Sequence, residues 1–277
     1  MNWKFQVKLF VVFLSLIFLS SCRLWTVTFF QNKLSEIGRP NYGIPWNPYV
    51  KYGVLKDPRD GHIYRTVTID NQTWMAENLN HKVENSSCPA KSEDSCSKYG
   101  REYEWDVAMN IYPVRKTTSQ PDPQTEGYDD NLYGYNAPKR FFWGGSDSLH
   151  QGVCPVGWHI PSYKEWNILF RCVLGKSSVG KNTDSVLTFR LTPPKGWITL
   201  SSMDGKVNYL RTDDFGFRVL PSPDFGNKSE AIILSATELT TTSYPMERVL
   251  HFSRGWESVL NYNWKSVPVS VRCVENN

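Results

Sequence analysis

Six cysteines, five histidines and a scattering of carboxylates hold the reactive chemistry of this 277-residue sequence. Cys88 and Cys96 bracket a polar loop, Cys88-Pro-Ala-Lys-Ser-Glu-Asp-Ser-Cys96, and form the natural local disulfide. Cys154 and Cys273 flank the C-terminal half and make the second expected pair. Closing a loop of ~100 residues is worth about 4.7 kcal/mol in the chain-entropy account, against about 3 for ~15 residues, so the long bridge matters more. Cys172 sits in Trp166-Asn-Ile-Leu-Phe-Arg-Cys-Val-Leu174, the pattern of a buried helix face, where a thiol behaves as a small hydrophobe. Zinc chemistry finds no Cys-x-x-Cys and no close histidine pair; His62, His81, His150, His159 and His251 are scattered and read as structural. No metal and no other cofactor is expected.

Catalytic patterns are equally sparse. Gly-x-Ser-x-Gly is absent, as are a phosphate loop and a dinucleotide fingerprint. Glycoside cleavage needs two carboxylates about 5–10 Å apart. Glu77, Glu165 and Glu238 are the carboxylates to weigh, and each has a simpler role. Glu165 caps a helix, and Glu77 and Glu238 bond loop backbone. Asp122, Glu126, Asp129 and Asp130 form a loose acidic group in a polar loop, short of the six to eight oxygens that calcium requires. No catalytic residue is assigned.

Cys22 belongs to different chemistry. A charged start (Lys4, Lys8) and an apolar run from Leu9 to Leu19 precede Leu19-Ser20-Ser21-Cys22. This resembles a bacterial lipobox, in which the cysteine thiol is acylated and becomes the new N-terminus. The run has the length of a signal h-region and is too short for a membrane span. Extending it to Phe30 would bury Arg23, at roughly 2.5–3.5 kcal/mol. The expectation is a signal peptide over 1–21, a lipidated tether over 22–55 carrying acyl groups such as palmitate, and a folded domain over 56–276. Arg23 in place of Asp after the cysteine points to the outer membrane, at the cell surface or its periplasmic face. Formal charge is +4, and about +2 without Lys4 and Lys8, which is no nucleic-acid footprint.

The elements that position these residues are short. His62–Ile69 alternates as a half-buried strand, Asp70-Asn71 is turn chemistry, and Gln72–Ala76 returns as the second strand of a hairpin. The spacing over 101–109 predicts a short helix. Residues 112–138 read as a long loop. Ser162 and Glu165 make a capping box for a helix through Val173, with Trp166, Leu169, Phe170 and Val173 on its apolar face and Gly175 as its stop. Short segments follow at 187–191, 196–200, 215–220, 231–235, 248–252, 258–262 and 268–274. Two helices among many short strands predict an α+β domain.

Several segments together are similar to the Fibrobacter succinogenes major paralogous domain. They are Asp57–Asn80, Lys98-Tyr-Gly-Arg-Glu-Tyr-Glu-Trp105, Gly152–Trp166, Thr212–Pro221, Leu234-Ser-Ala-Thr-Glu238 and Val269-Ser-Val-Arg-Cys-Val274, in that family's order. The resemblance implies an exported, often lipid-anchored bacterial surface protein, and no defined activity. Gly157–Trp166 and Val269–Val274 also resemble pieces of C-type-lectin-like domains, including the formylglycine-generating branch. That likeness implies two short helices, small antiparallel sheets, long loops, and a C-terminal strand that meets the hairpin. Gln120-Pro-Asp122 matches the lectins' calcium triplet but lies before the second helix, and the Trp-Asn-Asp partner is missing. The copper-binding cysteines of the enzymatic branch are missing too, since Cys273 is assigned to a disulfide.

Aromatic residues are 14% of the chain, with 11 Trp and 14 Tyr. Core and loop packing accounts for such content; so does a surface that stacks on sugars. In the lectin-like reading Tyr244, Trp256, Tyr262 and Trp264 are the candidate ligand contacts. The expected role is a non-catalytic envelope protein, held to the membrane by lipid, that binds or adheres to a polysaccharide or a surface protein. A structural component of an envelope complex, and an enzyme of carbohydrate metabolism, are the alternatives.

Overall fold

The computed structural model describes residues 42–110, 149–175, 183–197, 211–225, 229–238, 246–252 and 260–276. The first sheet holds β1 (Gly53–Lys56), β2 (Ile63–Ile69), β3 (Gln72–Met75), β5 (Trp158–His159) and β10 (Val274–Glu275), in the order β1-β2-β3-β10-β5. All its pairings are antiparallel. Ile69 faces Gln72 across the two-residue turn Asp70-Asn71. Asp70 takes φ 56° there, the left-handed geometry that tight hairpins need and that Asp and Asn tolerate. Val274 faces Trp74 on one side and His159 on the other, so the chain's end is the strand that joins hairpin to β5.

The second sheet holds β4 (Glu102–Tyr103), β6 (Ala231–Glu238), β7 (Met246–Phe252), β8 (Leu260–Trp264) and β9 (Val269–Ser270), in the order β4-β9-β6-β7-β8. It is mixed: β6 and β9 run parallel, the other pairs antiparallel. Val269 to Glu275 therefore serves both sheets. Residues 271–273 cross between them, with Val271 O accepting from Leu79 N at 2.8 Å and Cys273 O from Met75 N at 3.0 Å.

Four α-helices lie among the described residues: α1 (Glu93–Tyr99), α2 (Trp105–Ala108), α3 (Tyr163–Leu174) and α4 (Thr183–Leu191). Ser162 Oγ accepts from Glu165 N while Glu165 Oε2 accepts from Ser162 N, the reciprocal capping box that the sequence specifies for α3. Its buried face is Trp166, Leu169, Phe170 and Val173. Trp74 stacks on Trp166 at 4.4 Å between ring centres, and Phe217 meets both edge-on at 5.8 and 6.0 Å. This aromatic cluster is the centre of the main core. Among the described residues no helix is long and apolar enough to cross a membrane.

The C-type-lectin-like architecture expected from the sequence is corrected. Four helices replace two, and two five-stranded sheets, one of them mixed, replace small antiparallel sheets. The polar loop between Cys88 and Cys96 winds into α1 because Glu93 and Asp94 suit a helix start. The helix predicted over 101–109 gives up Glu102 and Tyr103 to β4, where they pair with Ser270 and Val269. Only Trp105–Ala108 turns helical. The segment 187–191 is helical, not extended: Leu187 and Leu191, one turn apart, are buried in the core beside α3, and that packing overrides the strand preference of Val186, Thr188 and Phe189. Residues 215–220 form an irregular link.

Both expected disulfides are present. Cys88–Cys96 has its Cα atoms 4.9 Å apart and Cys154–Cys273 5.9 Å. Cys172, expected as a buried thiol, is half-buried and itself disulfide-bonded.

Candidate functional site

Beside the aromatic core lies a buried group of opposite character, built from charged residues on four separate stretches of chain. Arg65 is on β2, Glu77 and Asn78 leave β3, Arg218 lies in the link after Gly216, and Arg272 lies in the crossing between β9 and β10. All five side chains are buried. Arg65 and Glu77 pair at 3.5 Å, and the Glu77 carboxylate also accepts from the Arg65 backbone N–H at 3.4 Å. Glu77 thus bonds backbone, as its sequence setting suggested, and holds a cation as well.

Asn78 links the other members. Its Nδ2 donates to Tyr99 O at 2.8 Å and to Ser270 Oγ at 3.1 Å, while its Oδ1 accepts from Arg272 Nε at 2.8 Å. The Arg272 guanidinium further donates to the Phe217 carbonyl and, at 3.0 Å, to the Arg218 carbonyl. Its face lies 4.6 Å from the Phe217 ring centre, where the polar group meets the aromatic one.

Arg218 is placed by a tight turn. Gly216 N donates to Asp213 O at 2.9 Å, Arg218 N donates to Asp213 Oδ1 at 2.7 Å, and Arg218 takes φ 52°. Gly216 is required: at φ 66° it leaves no room for a side chain, since a Cβ there would sit 2.5 Å from the Tyr52 hydroxyl. Arg218 then reaches back to Ile44 O at 3.1 Å. Trp46 lies between two guanidinium groups, 4.4 Å from Arg65 and 4.1 Å from Arg218. Residues 42–55, which the sequence places in the tether, are in this way packed against the domain.

A narrow cleft runs into this group. Glu77, Asn78, Lys98, Tyr99, Arg218, Leu220 and Arg272 line it. Lys98, at the end of α1, is half-buried; the others are buried, so it marks the mouth. Burial pushes the Asp213 carboxyl up to about 7, against the pull of Arg218 and Arg272. Burial also lowers Arg218 from the usual guanidinium range, against the pull of Glu77 and Asp213.

Other polar clusters have structural work. His159 Nε2 lies 2.7 Å from Glu165 Oε1, and His159 Nδ1 lies 2.7 Å from Asn276 Oδ1. Ser162 Oγ donates to Glu165 at 2.8 Å. Serine, carboxylate and imidazole thus stand in the wrong order for nucleophilic catalysis, which needs the imidazole on the hydroxyl. Burial alone would raise Glu165, but bonds from His159 and Ser162 outweigh it and hold the carboxyl below its usual range. Asp57, Asp60 and His81 converge with ligand atoms within 4.8 Å, yet Arg59 forks onto both Asp57 oxygens at 2.9 and 2.7 Å. Cys88, Glu93 and Cys96 also converge, but their sulfurs are joined to each other.

The aromatic contacts expected from the lectin-like reading are not assembled into a site among the described residues. Tyr244 and Trp256 lie outside the described residues, as does Cys22. Tyr262 falls on β8 opposite Arg248, and its side chain also lies outside what is described. Trp264 ends β8 and is 45% exposed. With the lectin-like fold corrected, the carbohydrate-binding and adhesion roles inferred from it lose their basis. The residues that the sequence passed over are Arg65, Asn78, Lys98, Arg218 and Arg272. One signal was available for two of them: Arg218 and Arg272 each interrupt an apolar run, Phe217-Arg-Val-Leu220 and Val271-Arg-Cys-Val274.

No curated protein and no solved structure matches the chain. A family model does, across residues 67–275, from the middle of β2 to the end of β10. With most of its length matched, the chain belongs to the Fibrobacter succinogenes major domain family.

Proposed function

We propose that this protein is a non-catalytic binding component of the bacterial envelope, acylated at Cys22 and held by that lipid at the outer membrane. The observation that supports this most directly is the fully buried Cys154–Cys273 bridge, which spans 119 residues and ties the end of the chain to the turn before β5. Disulfides of this kind persist outside the cytoplasm, where thiols are not kept reduced. The lipobox at Leu19–Cys22 supplies a matching route of export and an anchor. The carboxylates and histidines nearest to catalytic patterns have structural roles, which supports binding over chemistry.

Mass spectrometry of the N-terminal peptide, with membrane fractionation of the native protein, tests this reading. The expected result is a chain that begins at Cys22, carries acyl mass and sediments with the outer membrane. A chain that begins at Met1, or a soluble one, overturns it. Cys172 is disulfide-bonded, and with Cys88–Cys96 and Cys154–Cys273 paired Cys22 is the one other cysteine in the chain. A thiol that carries lipid cannot form that bond, so a spectrum in which Cys22 is joined to Cys172 also overturns the reading.

A second reading, a structural part of an envelope assembly, is favoured by Trp264, a large aromatic exposed at the end of a strand that closes one side of its sheet. Crosslinking in intact cells that recovers only monomer argues against it.

A further inference from the structure

Glu102, Ser222 and Asp224 tie separate stretches of chain together at the turn that Cys88 and Cys96 enclose. Glu102 lies buried on β4, paired with Ser87 on one side and with Ser270 of β9 on the other. Its Oε1 accepts from Ser222 Oγ at 2.9 Å, and the same Oγ accepts from Asp224 N at 3.1 Å. Asp224 is exposed, and its two carboxylate oxygens accept from Ala90 N at 2.9 and 3.0 Å. Asp224 also meets Glu102, both as a like charge and as a hydrogen-bonding partner.

The turn held in this way is strained. Ala90 and Lys91 both take left-handed backbone, at φ 52° and 51°, and neither is glycine. That geometry crowds Cβ against the following carbonyl, and it persists where the surroundings impose it. Inside the turn, Lys91 N donates to Cys88 O at 3.0 Å and Ser92 N to Pro89 O at 3.3 Å. The Ala90 N–H takes its acceptor from outside, on Asp224. Charge reaches Glu102 from Asp224. Its strand partners Ser87 and Ser270 carry none, Cys88 is bridged to Cys96, and the adjoining cation, Arg101, pairs with Glu93 at 2.9 Å. When Glu102 holds a proton, its acid O–H can donate to Asp224. When the proton leaves, two carboxylates face one another, one of them buried in a low dielectric, and the exposed one is the one that can move.

We propose that these residues form a proton-operated latch: a proton shared by Glu102 and Asp224 keeps Asp224 on the Ala90 N–H and the turn Pro89–Lys91 in its strained form, and loss of that proton releases both. The latch goes beyond the binding role and stands whether or not the chain is exported. Burial first, and then Asp224, push the Glu102 carboxyl up to about 7, against the pull of the Ser222 hydroxyl. A folded value above the ordinary one means that the hold is complete in acid and is lost as pH rises through about 7. The coupling is reciprocal: the factor by which a nearby Asp224 favours the proton is the factor by which the proton favours a nearby Asp224.

The test is hydrogen–deuterium exchange of the full chain in detergent from about pH 5.5 to about pH 8.5, with labelling times scaled for the intrinsic pH dependence of exchange. Labelling is kept short enough that α3 stays unexchanged, so that peptides covering 88–92 report local opening. Protection in 88–92 is expected to fall about tenfold or more over that range, the equivalent of about one pKa unit of coupling. Glu102→Gln, neutral at every pH and still able to donate, is expected to keep the turn protected throughout. Asp224→Ala, a change at an exposed position, is expected to lower protection at both ends of the range and to remove the pH dependence. Should Glu102→Gln not fold, Asp224→Ala carries the test by itself. Constant protection in the parent, a pH dependence that survives in either variant, or exchange of 88–92 only together with α3 each overturns the inference.

Discussion

Two buried regions touch at Phe217 and are built on opposite terms. On one side Trp74, Trp166 and Phe217 interlock, ring against ring, with no charge among them. On the other, Arg272 donates to the Phe217 carbonyl and joins Asn78, Arg218 and, through them, Glu77 and Arg65. The aromatic side is stabilised mainly by apolar burial, which is nondirectional, and by close packing of its rings. The polar side must satisfy every donor and every charge to break even. A fold that keeps such a group next to a sound apolar core gains little stability from it.

Removing one member from each side sharpens the contrast. Trp166→Ala empties the middle of the aromatic cluster and is expected to cost about 4–5 kcal/mol, read by urea or thermal unfolding. Arg272→Ala is expected to cost about 4 kcal/mol, because Asn78 Oδ1 and two carbonyls lose their donor in a buried place. Arg272→Met separates the causes. It refills the volume but, like Ala, leaves Asn78 Oδ1 and the two carbonyls without their donor, so what it recovers is the packing part of the loss. The Met variant should therefore recover that part of the Ala loss, whereas Trp166→Leu should recover much less of a tryptophan's volume. A Met variant as unstable as the Ala variant means that the guanidinium is a net stabiliser, and the contrast between the regions fails.

Acidity distinguishes them next. Asp213, beside Arg218, is pushed up to about 7 by burial. Glu102 is also pushed up to about 7, first by burial and then by Asp224, with the Ser222 hydroxyl pulling the other way. Both are acids whose folded pKa exceeds the unfolded one, so the folded state holds more protons between about pH 4 and pH 7. Their stabilisation is complete below the unfolded value and is lost as pH rises through about 7. Each group contributes on the order of 3–4 kcal/mol across that window. Unfolding free energy is expected to fall from pH 5 to pH 8, with the slope reduced in Asp213→Asn and in Glu102→Gln and unchanged in Trp166→Ala. Carboxyls held low, Asp57 by Arg59 and Glu165 by His159, act below this window, where their stabilisation is lost on acidification. A flat profile between pH 5 and 8 contradicts the burial of both acids.

The two regions also differ in how far the sequence discloses them. Local chemistry was readable: Ser162 with Glu165 marks the start of α3, Gly175 its end, Asp70-Asn71 the hairpin turn, and the apolar face of α3 names Trp166, one of the three rings of the aromatic cluster. The polar group was not. Arg272 takes its acceptors from residues 54, 55 and 194 positions away, and Arg218 reaches an acceptor 174 positions away. No window of neighbouring residues contains that information. The fold class failed for a related reason. Thr183–Leu191 carries strand-like residues, and Glu102–Tyr103 sits in a helical spacing, but packing beside α3 and pairing with β9 decide their states. The tertiary context outweighs propensities worth a few tenths of a kcal/mol per residue.

The smallest expected effect tests a cluster that imitates an active site. Ser162, Glu165 and His159 lie in contact, and a catalytic role would make the Ser162 hydroxyl indispensable whatever replaces it. The capping role makes a different forecast. Ser162→Ala should lower stability by about 1 kcal/mol, because Glu165 N loses its acceptor at the start of α3. Ser162→Gly should lose only a few tenths, since glycine is tolerated at that position, and Ser162→Thr, which keeps the oxygen, should stay close to the parent. The order Thr, Gly, Ala in thermal melts is the signature of a cap. Equal losses for Gly and Ala, or a loss above about 3 kcal/mol for either, means that the hydroxyl does more than begin a helix. In the expected order, a bond between residues three apart behaves as a separable, local contribution. The buried arginines should show the reverse: an Arg272→Ala loss that changes when Asn78 is also replaced, because the two side chains share one network rather than one turn.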